Sequence, residues 1–341
     1  MQKTTDKPAK TAAKQRAIQA KVDSKDKAKS AAKSAQSNGG GKAKQNGKSK
    51  EEKPMQAGAR KYPEPPMPAQ HLKKPGKEAD LQLQPMYDAP FYKGSGKLEG
   101  MAAIITGGDS GIGRSVAVLY AREGADIAVV YLEEHEDAEE TKEAVEAEGR
   151  RCVLIPGDVK DRDFCFEAVE RVVEQFGHLD ILVNNAAFQI HTTAFEEISD
   201  EQFDETLKTN LYGYFHMAQA AVPHLKQGGS IVNCGSVTGI EGSKELVDYS
   251  MTKGGIHAFT KALSGHLIPK GIRVNAVAPG PVWTPLNPAD KPADKVKDFG
   301  KHAKMKRPAQ PEEIAPAFVF LASPQMSSYI TGEVLPVVGG Y

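Results

Sequence analysis

The stretch AAIITGGDSGIGRSVAVLYARE, residues 102–123, decides the fold. It begins as an apolar run, Ala102–Ile105, turns through Gly107, Gly111 and Gly113, and continues in a helical pattern over Gly111–Glu123. Strand, glycine-rich turn and helix in that order open a nucleotide-binding βα unit. Glycines admit a tight turn and close approach of the backbone, so a pyrophosphate can sit against the helix N-terminus. The spacing is GxxxGxG rather than the GxGxxG of the dinucleotide fingerprint. A glycine turn often does no more than start a helix. Its place between a strand and a helix makes this one a candidate phosphate cradle, with Gly107, Asp109, Ser110, Gly111, Ile112 and Gly113 as its residues.

Outward from this unit the alternation repeats. Apolar runs at Ile127–Tyr131, Cys152–Pro156, Ile181–Asn184, Ser230–Cys234, Ile272–Val277 and Glu333–Val337 read as further strands. Longer amphipathic stretches between them, Glu136–Glu148, Asp161–Phe176, Asp200–His224 and Tyr249–Leu267, read as helices. Apolar strands alternating with helices indicate a parallel sheet covered on both faces, and the right-handed crossover rule makes it doubly wound. The expectation is a single α/β domain of Rossmann type with about seven strands, spanning residues 98–341. Ahead of it, residues 61–97 are proline-rich and predict an extended arm, laid on the domain by Met86, Tyr87, Phe91 and Tyr92.

The second strand bears on the choice of nucleotide. An acid at its end selects the ribose hydroxyls of NAD, whereas a base accommodates the phosphate of NADP. The end of this strand is Tyr131 or Leu132, with Glu133 and Glu134 just beyond. The missing acid leans towards NADP; Glu133 could restore NAD.

Chemistry centres on Tyr249-Ser250-Met251-Thr252-Lys253. Residues four apart share a helix face, which presents a phenol and an ammonium to the same side. A free phenol titrates near pH 10, and a nearby cation favours its anion. Such a pair is also common on solvated helix faces. Ser236 follows a strand, where α/β sheets open their ligand crevice, although a lone serine there reads equally as a turn or cap. Asn210 is a poor helix former inside a helical stretch, which suggests a non-local task.

Taken together these residues resemble the short-chain dehydrogenases/reductases. The matching pieces are TGGDSGIG at 106–113, Asp158-Val159, NNAA at 184–187, Asn210, Ser236, Tyr249 with Lys253, and Pro279-Gly280 with Thr284. The arm and the string PGPVWTPLNP at 279–288 are similar to a bacterial branch that includes general stress protein 39 and the glucose and ribitol dehydrogenase homologues. The resemblance implies reversible NAD(P)(H)-dependent interconversion of an alcohol and a carbonyl on a small aldehyde, sugar or polyol. It makes Tyr249 the general acid or base, with Lys253 lowering its pKa and bonding the nicotinamide ribose. Ser236 would hold the substrate oxygen, and Asn210 would pin a relay water. Asp158, Val159, Asn185, Ala186 and Ala187 would line the adenosine half, Tyr131 the ribose end, and Pro279, Gly280, Val282 and Thr284 the nicotinamide side. It further implies a homotetramer with the helices of Asn210 and Tyr249 in one interface. Ala187 replaces the family's glycine. Residues 286–308 are the expected substrate lid, beside Trp283 as pocket wall or anchor.

Composition narrows the alternatives. The chain has equal numbers of basic and acidic residues, but residues 1–50 carry thirteen Lys and one Arg against Asp6, Asp23 and Asp26. Residues 1–60, poor in aromatics, are expected to form a disordered basic tail with at most a transient helix over 9–32. Three cysteines without CxxC spacing argue against a metal cluster or disulfide framework. His191, His216, His257 and His266 read as surface or packing residues. The absence of a long apolar run or secretory leader points to a cytoplasmic protein. Two rival readings remain: a nucleotide-binding redox sensor without turnover, and an enzyme tethered to a polyanion by its tail.

Overall fold

The computed structural model describes residues 6–36 and 53–340. Its centre is a parallel sheet of seven strands: β1 (Ala102–Thr106), β2 (Asp126–Tyr131), β3 (Cys152–Pro156), β4 (Ile181–Asn184), β5 (Ser230–Cys234), β6 (Arg273–Pro279) and β7 (Val334–Val337). They lie in the order β3-β2-β1-β4-β5-β6-β7, so the chain reverses direction across the sheet between β1 and β4. In register, Ile105 lies beside Val129 on one side and Val183 on the other. The crevice at the carboxyl ends of these strands is where such folds bind ligands.

Eleven α-helices accompany the sheet among the described residues: α1 (Asp6–Gln36), α2 (Gly111–Arg122), α3 (His135–Ala147), α4 (Arg162–Phe176), α5 (Asp200–Leu207), α6 (Gly213–Ala221), α7 (Thr238–Glu241), α8 (Val247–Leu267), α9 (Ala293–Val296), α10 (Pro311–Ala322) and α11 (Pro324–Ser327). Successive strand side chains point to opposite faces, and the two layers of core follow from that alternation. Ala103, Ile105, Ile127 and Val129 pack with Leu119 and Tyr120 of α2 and Phe318 of α10. Ala102, Ile104, Ala128 and Val130 pack with Val169 and Val172 of α4 and Met217 of α6. Residues expected as one helix over 200–224 form α5 and α6 joined by a π-helical turn, Lys208–Tyr212, that contains Asn210.

The basic tail corrects the sequence expectation. Residues 6–36 are not disordered but form α1, whose Ala12, Gln15, Ile18, Gln19 and Val22 are buried. The Ala, Lys and Gln content supports a helix, and ordering is offset mainly by polar contacts. Gln15 donates to Glu205 at 3.0 Å, and Gln19 donates to the carbonyls of Leu72 at 2.8 Å and Ala289 at 3.0 Å. An argument from apolar area alone overlooks this source of order. Residues 1–5 and 37–52 of the expected tail lie outside the described residues.

The arm lies on the domain partly through the expected anchors, with Tyr92 packed against the core, Tyr87 beneath the Arg114 guanidinium and Met86 half-buried. Phe91 is exposed, while Tyr62, Met67, Leu72, Leu81 and Ala89 are buried. Met67 donates its N–H to Lys297 O and Leu72 to Pro288 O, both at 2.9 Å, so the arm holds the expected lid in place. Trp283 is the lid's anchor. Its Nε1 donates to Leu83 O at 2.8 Å, and its ring packs with Met67, Leu72, Leu81 and Val296.

Candidate active site

One cavity of about 390 Å³ runs along the carboxyl ends of β1, β2, β4, β5 and β6. Gly107, Asp109, Ser110, Gly111, Ile112, Tyr131, Asp158, Val159, Asn185, Ala186, Ala187, Ser236, Tyr249, Lys253, Pro279, Gly280, Val282 and Thr284 all line it. Of the expected residues, Gly113 and Asn210 stand behind the wall instead.

The glycine turn fits a phosphate cradle because side chains are excluded there. Gly111 has φ +52°, a conformation L side chains rarely adopt, and a Cβ on it would come within 2.9 Å of Thr284 Cγ2. A Cβ on Gly113 would collide with the Gly107 carbonyl oxygen. The turn is tied to β4: the Thr106 hydroxyl accepts from the N–H of Asn185 at 2.9 Å and of Ala186 at 3.1 Å, and Asn185 Nδ2 donates to Gly107 O at 2.9 Å. Gly107, Ser110, Gly111 and Ile112 thus border the cavity where α2 begins, a place that suits a pyrophosphate, while the Gly111 N–H itself donates to the Glu78 carboxylate of the arm at 2.6 Å.

At the far end, α8 places the phenol and the ammonium. Lys253 is 1% exposed, and its Nζ donates to Cys234 O at 2.7 Å and lies 3.4 Å from Tyr214 Oη. Nζ is 5.4 Å from the Tyr249 ring centroid. Burial lowers the lysine pKa. Burial also pushes the Tyr249 phenol upward, with the Ser236 hydroxyl opposing it. The expected lowering by Lys253 is therefore not the dominant effect, because burial penalises the phenolate first and the ammonium is turned to a carbonyl.

Ser236 has a defined proton direction. Its Oγ accepts from the Thr238 N–H at 3.1 Å and from the Thr238 hydroxyl at 3.0 Å. Both lone pairs are thereby engaged, which leaves the Ser236 proton for Tyr249 or for an oxygen placed beside it. Asn210 spends its side chain on protein groups. Oδ1 accepts from Phe188 N at 2.8 Å, and Nδ2 donates to Phe188 O at 2.9 Å and Thr252 Oγ1 at 3.0 Å. Its amide clamps the residue preceding Lys253 to the loop after β4.

Asp109, expected in the cradle, and Glu134, just beyond the second strand, line the end near Tyr131, both buried, and burial pushes both carboxyls upward. Several other cavity residues escape sequence reasoning. Thr11 and Gln15 of α1, Gln189, Thr238, Asn287, Lys291 and Phe299 line the walls. Gln189 had a findable signal, since it directly follows the NNAA stretch and Phe188. The α1 residues had none apart from their helical spacing.

Two of the histidines read as surface or packing residues are buried. His191 sits between Asp26 of α1, 2.8 Å from its Nε2, and Asp290 of the lid, whose carboxylate is 3.1 Å from its Nδ1. His257 lies behind Gly235 and Ser236, and burial lowers its pKa. Among the described residues no cluster of His, Cys, Asp and Glu could hold a metal, and no helix is long and apolar enough to cross a membrane.

A family model described as enoyl-(acyl carrier protein) reductase matches residues 107–341. General stress protein 39 of Bacillus subtilis (strain 168) is 51% identical over 275 residues, covering 80% of this chain and 96% of that protein. NADPH-dependent aldehyde reductase 1, chloroplastic, of Arabidopsis thaliana is 45% identical over 272 residues, covering 78% of this chain and 94% of that protein. Among solved structures, a short chain dehydrogenase from Burkholderia cenocepacia J2315 in complex with NADP has a TM-score of 0.67 and 33% identity, covering 72% of this chain and 98% of its own.

Proposed function

The chain belongs to the short-chain dehydrogenase/reductase family of NAD(P)-dependent oxidoreductases, and from that premise we propose that it interconverts a small carbonyl compound and its alcohol with Tyr249 as acid and base. The observation that carries this reading is that one cavity joins the glycine turn at one end to Ser236, Tyr249 and Lys253 at the other. A bound nicotinamide dinucleotide supplies the hydride in reduction and takes it up in oxidation. The chain's own residues manage the oxygen and its proton. Ser236, with both lone pairs engaged by Thr238, donates to the substrate oxygen. Tyr249 delivers its phenolic proton to that oxygen in reduction and removes it in oxidation. Lys253, an ammonium kept beside the ring, stabilises the resulting phenolate. Asn210 positions α8 through Thr252.

Between the two dinucleotides, burial holds the carboxyls of Asp109 and Glu134 near Tyr131 towards their neutral forms, so they do not bar a 2′-phosphate, and the missing acid at Tyr131 together with the similarity to an NADPH-dependent aldehyde reductase supports a lean to NADP(H). The similarity to an NADPH-dependent aldehyde reductase supports an aldehyde as substrate. Gln189, Thr238 and Asn287 in the wall suit one that carries neighbouring hydroxyls. The exposed apolar face around Tyr212 and Phe215, on the helices of the expected interface, supports assembly into a homotetramer.

Tyr249→Phe tests the central claim. With NADH and NADPH across a panel of aldehydes and sugars, kcat falls by about 10²–10⁴-fold, the usual worth of a general acid, while dinucleotide affinity stays within about threefold. Undiminished turnover would refute the assignment. Dinucleotide binding without turnover of any substrate by the unaltered protein would favour the sensor reading.

A further inference from the structure

The basic N-terminal helix is the part of the molecule that the proposed reaction leaves without a task. The matching family model begins at Gly107, so α1 lies outside it. Thr11 and Gln15, one turn apart on α1, line the cavity beside Asp158, Tyr131 and Glu134. The Thr11 hydroxyl donates to Asp158 Oδ2 at 2.5 Å. Below this turn Ile18 and Val22 pack on Phe188 and Ile190, which follow the NNAA stretch.

We propose that α1 is a retaining strap for the dinucleotide, with Thr11 and Gln15 completing the wall at its adenosine end. The inference rests on the functional reading above, which makes this cavity the dinucleotide site.

Charge explains why the strap is basic. Acids crowd the rim at this end, and α1 meets them one by one. Lys14 pairs with Asp204 at 3.3 Å and Glu205 at 3.1 Å, Arg16 with Glu133 at 2.6 Å, and Lys7 with Asp161. Bare, these carboxylates would repel a ligand that carries a pyrophosphate. Covered, they leave a neutralised rim with a physical barrier over the adenosine end. The composition of the chain, a basic head on an acidic body, thereby acquires an internal reason. The cations of α1 that carry these pairs are engaged by the domain rather than held out to a polyanion.

The latch is reversible. Ion pairs at partly exposed sites contribute about 0–1 kcal/mol each and weaken as salt shortens the screening length. The helix has few apolar contacts, which is the profile of a segment that opens locally without global unfolding. Dinucleotide exchange then requires the N-terminal turns of α1 to lift, and release is slow at low salt and faster at high salt. Lid opening of this kind commonly limits turnover.

The experiment is stopped-flow release of NADH, followed by its fluorescence and chased with excess NAD⁺, in 50 mM and 500 mM NaCl. Three proteins are compared: the full chain, a chain lacking residues 1–36, and the full chain carrying Lys14→Ala and Arg16→Ala. In the full chain the release rate rises with salt. Deletion speeds release at least tenfold at low salt and abolishes the rise. The double substitution gives an intermediate rate and stands in for the deletion if the shortened chain fails a thermal-melt control. Release unchanged by deletion or substitution overturns the strap. Tighter NADH binding in the deleted chain overturns it too, by showing that α1 competes with the dinucleotide. Failure of the full chain to bind either NADH or NADPH is the distinct outcome that sinks the functional reading itself.

Discussion

His191 shows how one side chain couples separate pieces of the chain. Carboxylates from α1 and from the lid face it, Asp26 and Asp290, and they hold the imidazolium up to about 9. The unfolded value is near 6.5, so the stabilisation is fully present below about pH 6.5 and is lost as pH rises towards 9. Asp290 is pushed the other way, down to about 2, chiefly by His191 working against burial, so its contribution disappears only in strong acid. Lys74 lies in the same cluster, buried, with its pKa lowered to about 8. Its sign is opposite, and it gains stability above pH 8. The His191→Gln variant isolates the imidazole: the unaltered protein should exceed it by up to about 3 kcal/mol at pH 6. By pH 9 most of that difference should have gone. Urea melts at both pH values measure it, and a difference independent of pH would contradict the assigned pairing.

At the level of elements, the lid and the arm behave as one body because Trp283 joins them. Its indole is fully buried among arm residues Met67, Leu72 and Leu81 and lid residues Ala289 and Val296. Truncation leaves a large cavity and an unpaired Leu83 carbonyl. Trp283→Ala should cost about 3–5 kcal/mol, and the arm backbone after Lys73 and Lys77, whose side chains are already exposed, should loosen enough for trypsin to cut it. A cleavage pattern unchanged from that of the unaltered chain would show that the arm is held by its backbone bonds alone. The π-helical turn between α5 and α6 belongs to the same scale. It aims Asn210 at Thr252 and Phe188, an orientation the 3.6-residue periodicity of a continuous helix does not predict.

For the whole molecule, an exposed apolar face among the described residues bears on assembly. Tyr212, Phe215 and Met251 are about half exposed on α8 and on the segment from the π turn into α6, around a shallow pocket lined by Leu211, Ile256 and Phe259. Exposed apolar patches of this kind mark association sites. Phe215→Glu should lower the mass seen by light scattering from that of a tetramer towards dimers or monomers, with the fold unchanged by circular dichroism. A monomeric unaltered protein would remove this argument for assembly. Charge acts at the same scale, since α1, the described part of the basic head, is folded against the acidic body.

Strand identity, sheet class and the glycine turn were legible because they depend on local pattern. Runs such as Ile181–Asn184 are apolar on both faces, and Gly107, Gly111 and Gly113 sit where side chains would collide. The spacing of Tyr249 and Lys253 likewise follows from helix geometry and survives intact in α8. What only the tertiary structure decided is where distant polar groups meet: Asp109 with Glu134, Thr11 with Asp158, His191 with Asp26 and Asp290, and Asn210 with Phe188. Tertiary burial also set the direction of the Tyr249 shift, upward where spacing alone suggested the reverse. The physical reason is range. Backbone propensity and hydrophobic period act over a few residues and are written in order along the chain, whereas hydrogen bonds, ion pairs and desolvation depend on contacts between residues as much as 270 positions apart, as with Gln19 and Ala289.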